Sequence, residues 1–246
     1  MEKINNTLFS IITVCYNAEA TIKSTLESIK GESFRNFEYI IVDGGSTDAT
    51  LKIIRNSGVI TDKLISESDS GIYDAMNKGI ANATGEYLIF LNAGDTFYRN
   101  DTLYSIANII GSERPDVIYG DTAIVDINGN FKSLRRLRPP KTLSARNFRH
   151  GMTVCHQSFI AKREIAPLYS LSYHFSADFD WCIRILKSST NCFNTRLILI
   201  NYLDEGITSR NRKASLIERF RIMCRHYGTE STVIFHIWFL IRGIFK

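Results

Sequence analysis

Three mainly apolar runs mark the first half of the chain: Phe9-Ser-Ile-Ile-Thr-Val14, Tyr39-Ile-Ile-Val42 and Tyr87-Leu-Ile-Phe-Leu91. None alternates strictly with polar residues, the pattern of a strand covered on both faces, as in a parallel sheet. A shorter strand is predicted at Lys63–Ser66. Helical spacing fills the gaps: Ile22, Leu26 and Ile29 within 18–29, a helix through Ile54, and another through Ala83. Ser46 or Thr47 is expected to cap the second helix, with Asp48 in its first turn. This βα alternation predicts an α/β fold with a mainly parallel sheet. The second half is less regular. It offers strands at Asp116–Gly120 and Thr122–Val125, a hairpin turn at Asn128-Gly129-Asn130, and a helix opening near Phe175 that carries Trp181, Ile185 and Leu186.

Three successive strands end near an acidic residue: Asp43, Asp69 and Asp95. Open α/β sheets bind ligands beyond the carboxyl ends of their strands. Carboxylates gathered there repel one another unless they accept hydrogen bonds from a ligand or share a cation. A nucleoside diphosphate bridged by Mg²⁺ or Mn²⁺ meets both needs. The turn after the first strand, Cys15-Tyr16-Asn17, has no glycine, which disfavours a dinucleotide fold and a Walker-type phosphate loop.

With 246 residues and 44% hydrophobic content, the chain is long enough for one large domain. The run Leu8–Val14 is too short to span a membrane and lacks the flanks of an export signal. Five scattered cysteines, with no Cys-x-x-Cys pair, suggest neither disulfides nor zinc, so a cytoplasmic compartment is expected. The net charge of +5 belongs to the tail: from Arg210 onward there are eight Lys/Arg and two Asp/Glu. A second basic stretch, Lys132–Arg149, has no acidic residue and reads as a solvated face or an anion-binding one.

The segments Ile11-Ile-Thr-Val-Cys-Tyr-Asn17, Ile41-Val-Asp-Gly-Gly-Ser-Thr-Asp48, Asp69-Ser-Gly-Ile-Tyr-Asp-Ala-Met-Asn-Lys-Gly79 and Ala83-Thr-Gly-Glu-Tyr-Leu-Ile-Phe-Leu-Asn-Ala-Gly-Asp95 together resemble the family-2 glycosyltransferases of GT-A fold. The likeness is to the bacterial branch that builds surface polysaccharide such as O-antigen. It implies a GT-A-like domain over 1–210, with a donor half at about 9–125 and an acceptor half at about 126–210. A basic amphipathic helical segment, 211–246, would follow and pack on the domain or on an anionic membrane surface. The implied reaction moves a sugar with inversion from a nucleoside diphosphate sugar, UDP-linked by preference, to a hydroxyl of a lipid-linked glycan. It would take place at the inner face of the cell membrane, with Mg²⁺ or Mn²⁺ and no nucleic acid.

Carried over by position, the resemblance makes Tyr16 the ring that stacks on the donor base and Asp43 the carboxylate that accepts from it. Asp69, Lys78 and Asn92 would also contact the donor, and Asp95 would bind the metal. His156 and Gln157 would lie on the acceptor side, and Asp178 would be the catalytic base. The stretch Asn92-Ala93-Gly94-Asp95 departs from the family's commoner Asp-x-Asp pattern by keeping only its last carboxylate. Asp178 and Asp180 point about 200° apart on a helix, so one is expected to face the crevice and the other solvent or the helix cap. The alternatives are a sugar-1-phosphate nucleotidyltransferase, which lacks its Gly-rich basic signature here, and a binding domain without turnover.

Overall fold

A computed structural model describes residues 7–204 and 212–244. The expected boundary between 210 and 211 lies outside the described residues. Strand β1 (Phe9–Cys15) is buried along its whole length, and its apolar side chains serve two cores. Ile12 and Val14 join one on the side of α3 (Ile72–Asn82) and α5 (Ala177–Ser188). Phe9 and Ile11 join the other, beside α1 (Ile22–Gly31) and α4 (Thr102–Glu113). Burial on both faces explains why the run shows no polar alternation.

Parallel to β1 run β2 (Phe37–Asp43) and β4 (Tyr87–Phe90), and β3 (Lys63–Ser66) pairs in parallel with β2. The register aligns Cys15 with Asp43 and Asp43 with Ser66. The loops after these strands therefore open on one edge. Beyond β4 the sheet turns mixed: β8 (Phe159–Lys162), β6 (Val117–Val125), β9 (Cys192–Leu203) and β5 (Thr96–Phe97) follow in that order, and β7 (Phe131–Leu134) pairs with β6. The two strands expected at Asp116–Gly120 and Thr122–Val125 are one strand with irregular register between Tyr119 and Thr122. The expected turn at Asn128–Asn130 joins β6 to β7, with Asp126 Oδ1 accepting from the Asn128 and Asn130 amides at 2.9 Å.

Helix α2 (Thr50–Asn56) begins later than expected. Ser46 and Thr47 do not cap it; the Thr50 amide donates to Asp48 Oδ1 at 2.9 Å.

The C-terminal helices α6 (Arg212–Tyr227) and α7 (Thr229–Ile244) form a hairpin on α5. Ile222 and Met223 of α6 enter the α3/α5 core. Polar groups lock the same contact: Glu218 accepts from the His174 and Phe175 amides, both at 2.8 Å, and Ser176 Oγ lies 3.0 Å from Ser215 Oγ. Through α6 the C-terminal segment is part of the body that holds the start of α5.

Candidate active site

The mouth of the parallel half is closed into shape by its own side chains. Asn17 takes a left-handed backbone, φ 47°. Its amide donates to Ser46 Oγ at 2.8 Å, and its Oδ1 accepts from the Thr47 amide at 2.9 Å. Tyr16 beside it is 64% exposed, a ring surface free to stack on a base. Asp43 is fully buried. It accepts from the Gly45 amide at 3.2 Å, the Ser46 amide at 3.0 Å, Ser66 Oγ at 2.8 Å, and Ser46 Oγ. Through these bonds Asp43 anchors the loop.

Half-buried Asp69 lies directly over Gly44, where any Cβ would collide with its Oδ2. Its Oδ1 accepts from the Gly71 amide at 2.9 Å. Lys78 is paired with Glu67 at 2.9 Å and Asp74 at 3.7 Å and donates to the Ser68 carbonyl at 3.0 Å, so it braces the acidic loop.

The turn after β4 needs Gly94, which has φ 103° and sits where a Cβ would meet Leu203 Cδ2 at 2.6 Å. Thr25 of α1 ties the turn down, accepting from the Gly94 amide at 2.9 Å and donating to the Asp95 carbonyl at 2.8 Å. The Asp95 carboxyl accepts from the Leu203 amide at 3.1 Å and from Gln157 Nε2 at 3.0 Å. Burial pushes it up to about 7. Gln157 thus holds the Asp95 carboxyl.

Three residues earlier, Asn92 Oδ1 is buried with no partner among the described residues. A desolvated carboxyl with no basic partner among the described residues, beside an oxygen that lacks a donor, would suit a hard divalent cation. No group of three or more His, Cys, Asp or Glu that could hold a metal ion occurs among the described residues, so the protein would supply few of the ligands.

Across the crevice, α5 opens with Ser176 as N-cap residue. Asp178 is half-buried, and its Oδ1 accepts from Tyr73 Oη at 3.1 Å and from the Phe179 amide at 2.9 Å. Its neighbour Asp180 does not face solvent. At 2% exposure it is paired with Arg184 at 2.8 Å and His226 at 2.7 Å, because α6 covers that side of the helix. His226 and Arg184 hold its carboxyl below the usual range against the cost of burial.

Breaking such a buried pair costs about 3 kcal/mol, some 6–12 °C in a chain of this size. Asp180→Asn is accordingly expected to lower Tm by roughly that much while the folded enzyme keeps its turnover within about threefold. A calorimetric scan beside initial rates checks it, and lost turnover at unchanged Tm would move the base to Asp180.

His156 is buried, its Nε2 bonded to Tyr169 Oη and its ring packed against Phe90 and Trp181. Burial lowers its pKa to about 4, so it is neutral near pH 7. It belongs to an aromatic cluster with Phe90, Tyr169 and Trp181. Sequence reasoning missed Tyr73, Thr25 and Glu218, whose roles depend on partners at least 43 positions away.

A parallel half that opens four loops on one edge, facing a carboxylate from a mixed second half, is the design of GT-A-type transferases. The solved structures agree. S. aureus TarS (1–349) in complex with UDP superposes with a TM-score of 0.71 at 18% identity, covering 89% of this chain and 65% of that one. A mannosyltransferase from Pyrobaculum calidifontis in complex with GDP-Man and Mn²⁺ gives 0.66 at 15%, covering 94% and 70%. Residues 10–167 match glycosyl transferase family 2, and the chain belongs to that family. Among its relatives, a Mycobacterium bovis protein named "PGL/p-HBAD biosynthesis glycosyltransferase" is 36% identical over 220 residues, 85% of this chain and 78% of the relative.

Proposed function

We propose that this glycosyltransferase moves a hexosyl or N-acetylhexosaminyl group from a UDP-sugar, with inversion, to a hydroxyl of a lipid-linked glycan in bacterial surface-polysaccharide synthesis. The observation that carries the reading is the Tyr73–Asp178 bond, 3.1 Å across 105 residues, which ties an acceptor-half carboxylate to the first turn of donor-half helix α3. Structures with UDP and UDP-GlcNAc among the neighbours support the donor class. Tyr16 stacks on the base, Asp69 and Asn92 contact N–H or O–H groups of the donor, and Asp95 would hold Mg²⁺ or Mn²⁺. The ion supplies charge neutralisation for the departing diphosphate. Asp178 removes the proton of the acceptor hydroxyl as that oxygen attacks the anomeric carbon opposite the leaving group.

Calorimetry with UDP, GDP and dTDP checks the donor assignment. UDP should bind tightest, and Tyr16→Ala should weaken it about tenfold, the usual loss of one base–ring stack. Equal binding of the three nucleotides, unaffected by Tyr16→Ala, refutes it.

The acceptor's lipid places the site beside a membrane, and α6/α7 suit that setting. No helix among the described residues is long and apolar enough to cross one. Instead Val233, Ile234 and Ile237 of α7 form an exposed apolar stripe. Exposed Lys213, Arg221 and Arg225 lie on α6. The basic stretch joins them: Arg149 stands 5.1 Å from the Tyr227 ring centre, and Tyr227 Oη donates to the Ala145 carbonyl at 2.6 Å. Exposed cations on one helix of a hairpin and an exposed apolar stripe on the other favour peripheral docking on an anionic leaflet. The double variant Ile234→Glu/Ile237→Glu should lose at least about tenfold in partition onto phosphatidylglycerol vesicles. Flotation unchanged from the parent protein would remove the membrane from the account.

A further inference from the structure

Tyr73 sits in the first turn of α3, directly after the acidic loop at the donor mouth, and is buried. Its phenol and the Phe179 amide donate to the same oxygen of Asp178, Oδ1, and among the described residues no donor reaches Oδ2. Two donors on one oxygen settle how the carboxylate is turned about its last bond.

The phenol is itself locked. Its ring stacks on Tyr169 with centroids 5.6 Å apart and 27° between planes, and Tyr169 stacks on Trp181 at 5.0 Å and 15°. Trp181 lies on the helix that carries Asp178. Asn77 of α3 clamps the Tyr169 backbone, donating to its carbonyl at 3.0 Å and accepting from its amide at 2.7 Å. The donor loop is tied into the same turn, with the Ser70 amide donating to Asp74 Oδ2 at 3.0 Å.

We infer that Tyr73 is a positioning residue for the transfer step: it holds Asp178 Oδ1 so that Oδ2 is the oxygen presented to the acceptor hydroxyl. The inference rests on Asp178 being the base. During transfer the acceptor oxygen bonds to the anomeric carbon, and its proton passes to Asp178 Oδ2. The electron pair of the broken glycosyl bond leaves with the diphosphate. Oδ1, then the carbonyl oxygen of a carboxylic acid, goes on accepting from Tyr73, which keeps its own proton throughout. Burial pushes the Tyr73 phenol well above its ordinary range, so it remains a donor at working pH. Orienting a base in this way acts on the transition state more than on ground-state donor binding.

The test is a double-mutant cycle. Tyr73→Phe keeps the stacked ring and deletes only the hydroxyl. It should lower kcat roughly tenfold, the usual worth of a charge-assisted hydrogen bond, with the KM for the UDP-sugar and the Tm unchanged. In an Asp178→Asn background the same change should have no further effect, because the oxygen it orients no longer accepts a proton. Tyr169→Phe, which removes the hydroxyl bonded to His156 but keeps the stack, should stay within about twofold of the parent protein. Full kcat in Tyr73→Phe overturns the inference. So does an equal tenfold loss in both backgrounds, or an equal loss from Tyr169→Phe, since each marks a role in packing. An active Asp178→Asn single variant removes the base itself and is recognised separately, without reference to Tyr73.

Discussion

Asp178→Asn is expected to lower turnover by at least about 10²-fold while leaving UDP affinity and Tm close to those of the parent protein. The size follows from the chemistry: a sugar hydroxyl is a poor nucleophile until its proton is removed, and loss of a positioned base costs roughly 10² to 10⁴ in rate. The small effect on stability follows from the geometry. Asn keeps an Oδ1 that accepts from Tyr73 and from the Phe179 amide, the two bonds Asp178 makes, and Ser176 rather than Asp178 stands at the N-cap. Asp180→Asn should show the opposite pattern, because its charge is buried against Arg184 and His226. Rates, nucleotide affinity and thermal scans on the two variants separate the roles. Activity in both would leave the transfer without its proton acceptor.

The second large effect is expected at the β4 turn. EDTA should abolish transfer, and Mn²⁺ should restore it. Replacement of Asp95 should do the same damage irreversibly, with turnover down at least about 10²-fold, as expected when the ion that balances the diphosphate is lost. The choice of variant matters. Asp95→Ala would leave the Leu203 amide and Gln157 Nε2 buried without an acceptor, at about 1–3 kcal/mol for each, so it loosens the turn as well as removing the ligand. Asp95→Asn keeps one carbonyl oxygen for the Leu203 amide and is the cleaner test. Asn92→Asp, which places a charge where an oxygen now lacks a partner, should tighten Mn²⁺ binding. Full transfer in EDTA would show that cationic side chains balance the diphosphate and would remove the metal.

The donor edge was legible because β1, β2 and β4 are buried on both faces. Mainly apolar runs mark those strands, and Asp43 and Asp95 lie just beyond two of them; Asp69 joins the group only through the short strand expected at Lys63–Ser66. Sequence does not say how far a side chain at such an end reaches. Asp43 turned inward to hold Ser46 and Ser66, and Lys78 turned back to Glu67.

What surrounds His156 and Gln157 was hidden for a related reason. They sit in a short turn before β8, and only packing by Phe90, Tyr169 and Trp181 buries the histidine. Helical spacing correctly separated Asp178 from Asp180. It had no means of showing that α6 would cover the second, because that contact joins positions 46 apart. Strand β9 carries an apolar run, Leu197-Ile-Leu-Ile200, that pattern reasoning had within reach. Its half-buried course and its parallel pairing with β6 across the domain are what only the fold discloses.

The most direct measurement of the central claim is transfer of label. UDP-, GDP- and dTDP-sugars, each labelled in the sugar, are incubated with the enzyme, Mn²⁺ and lipid-linked glycan extracted from bacterial membranes, and label is followed into the lipid phase. Transfer should occur from a UDP-sugar, cease in EDTA, and fall at least about 10²-fold with Asp178→Asn. Undiminished transfer by Asp178→Asn, or label that leaves no nucleotide sugar at all, would contradict it.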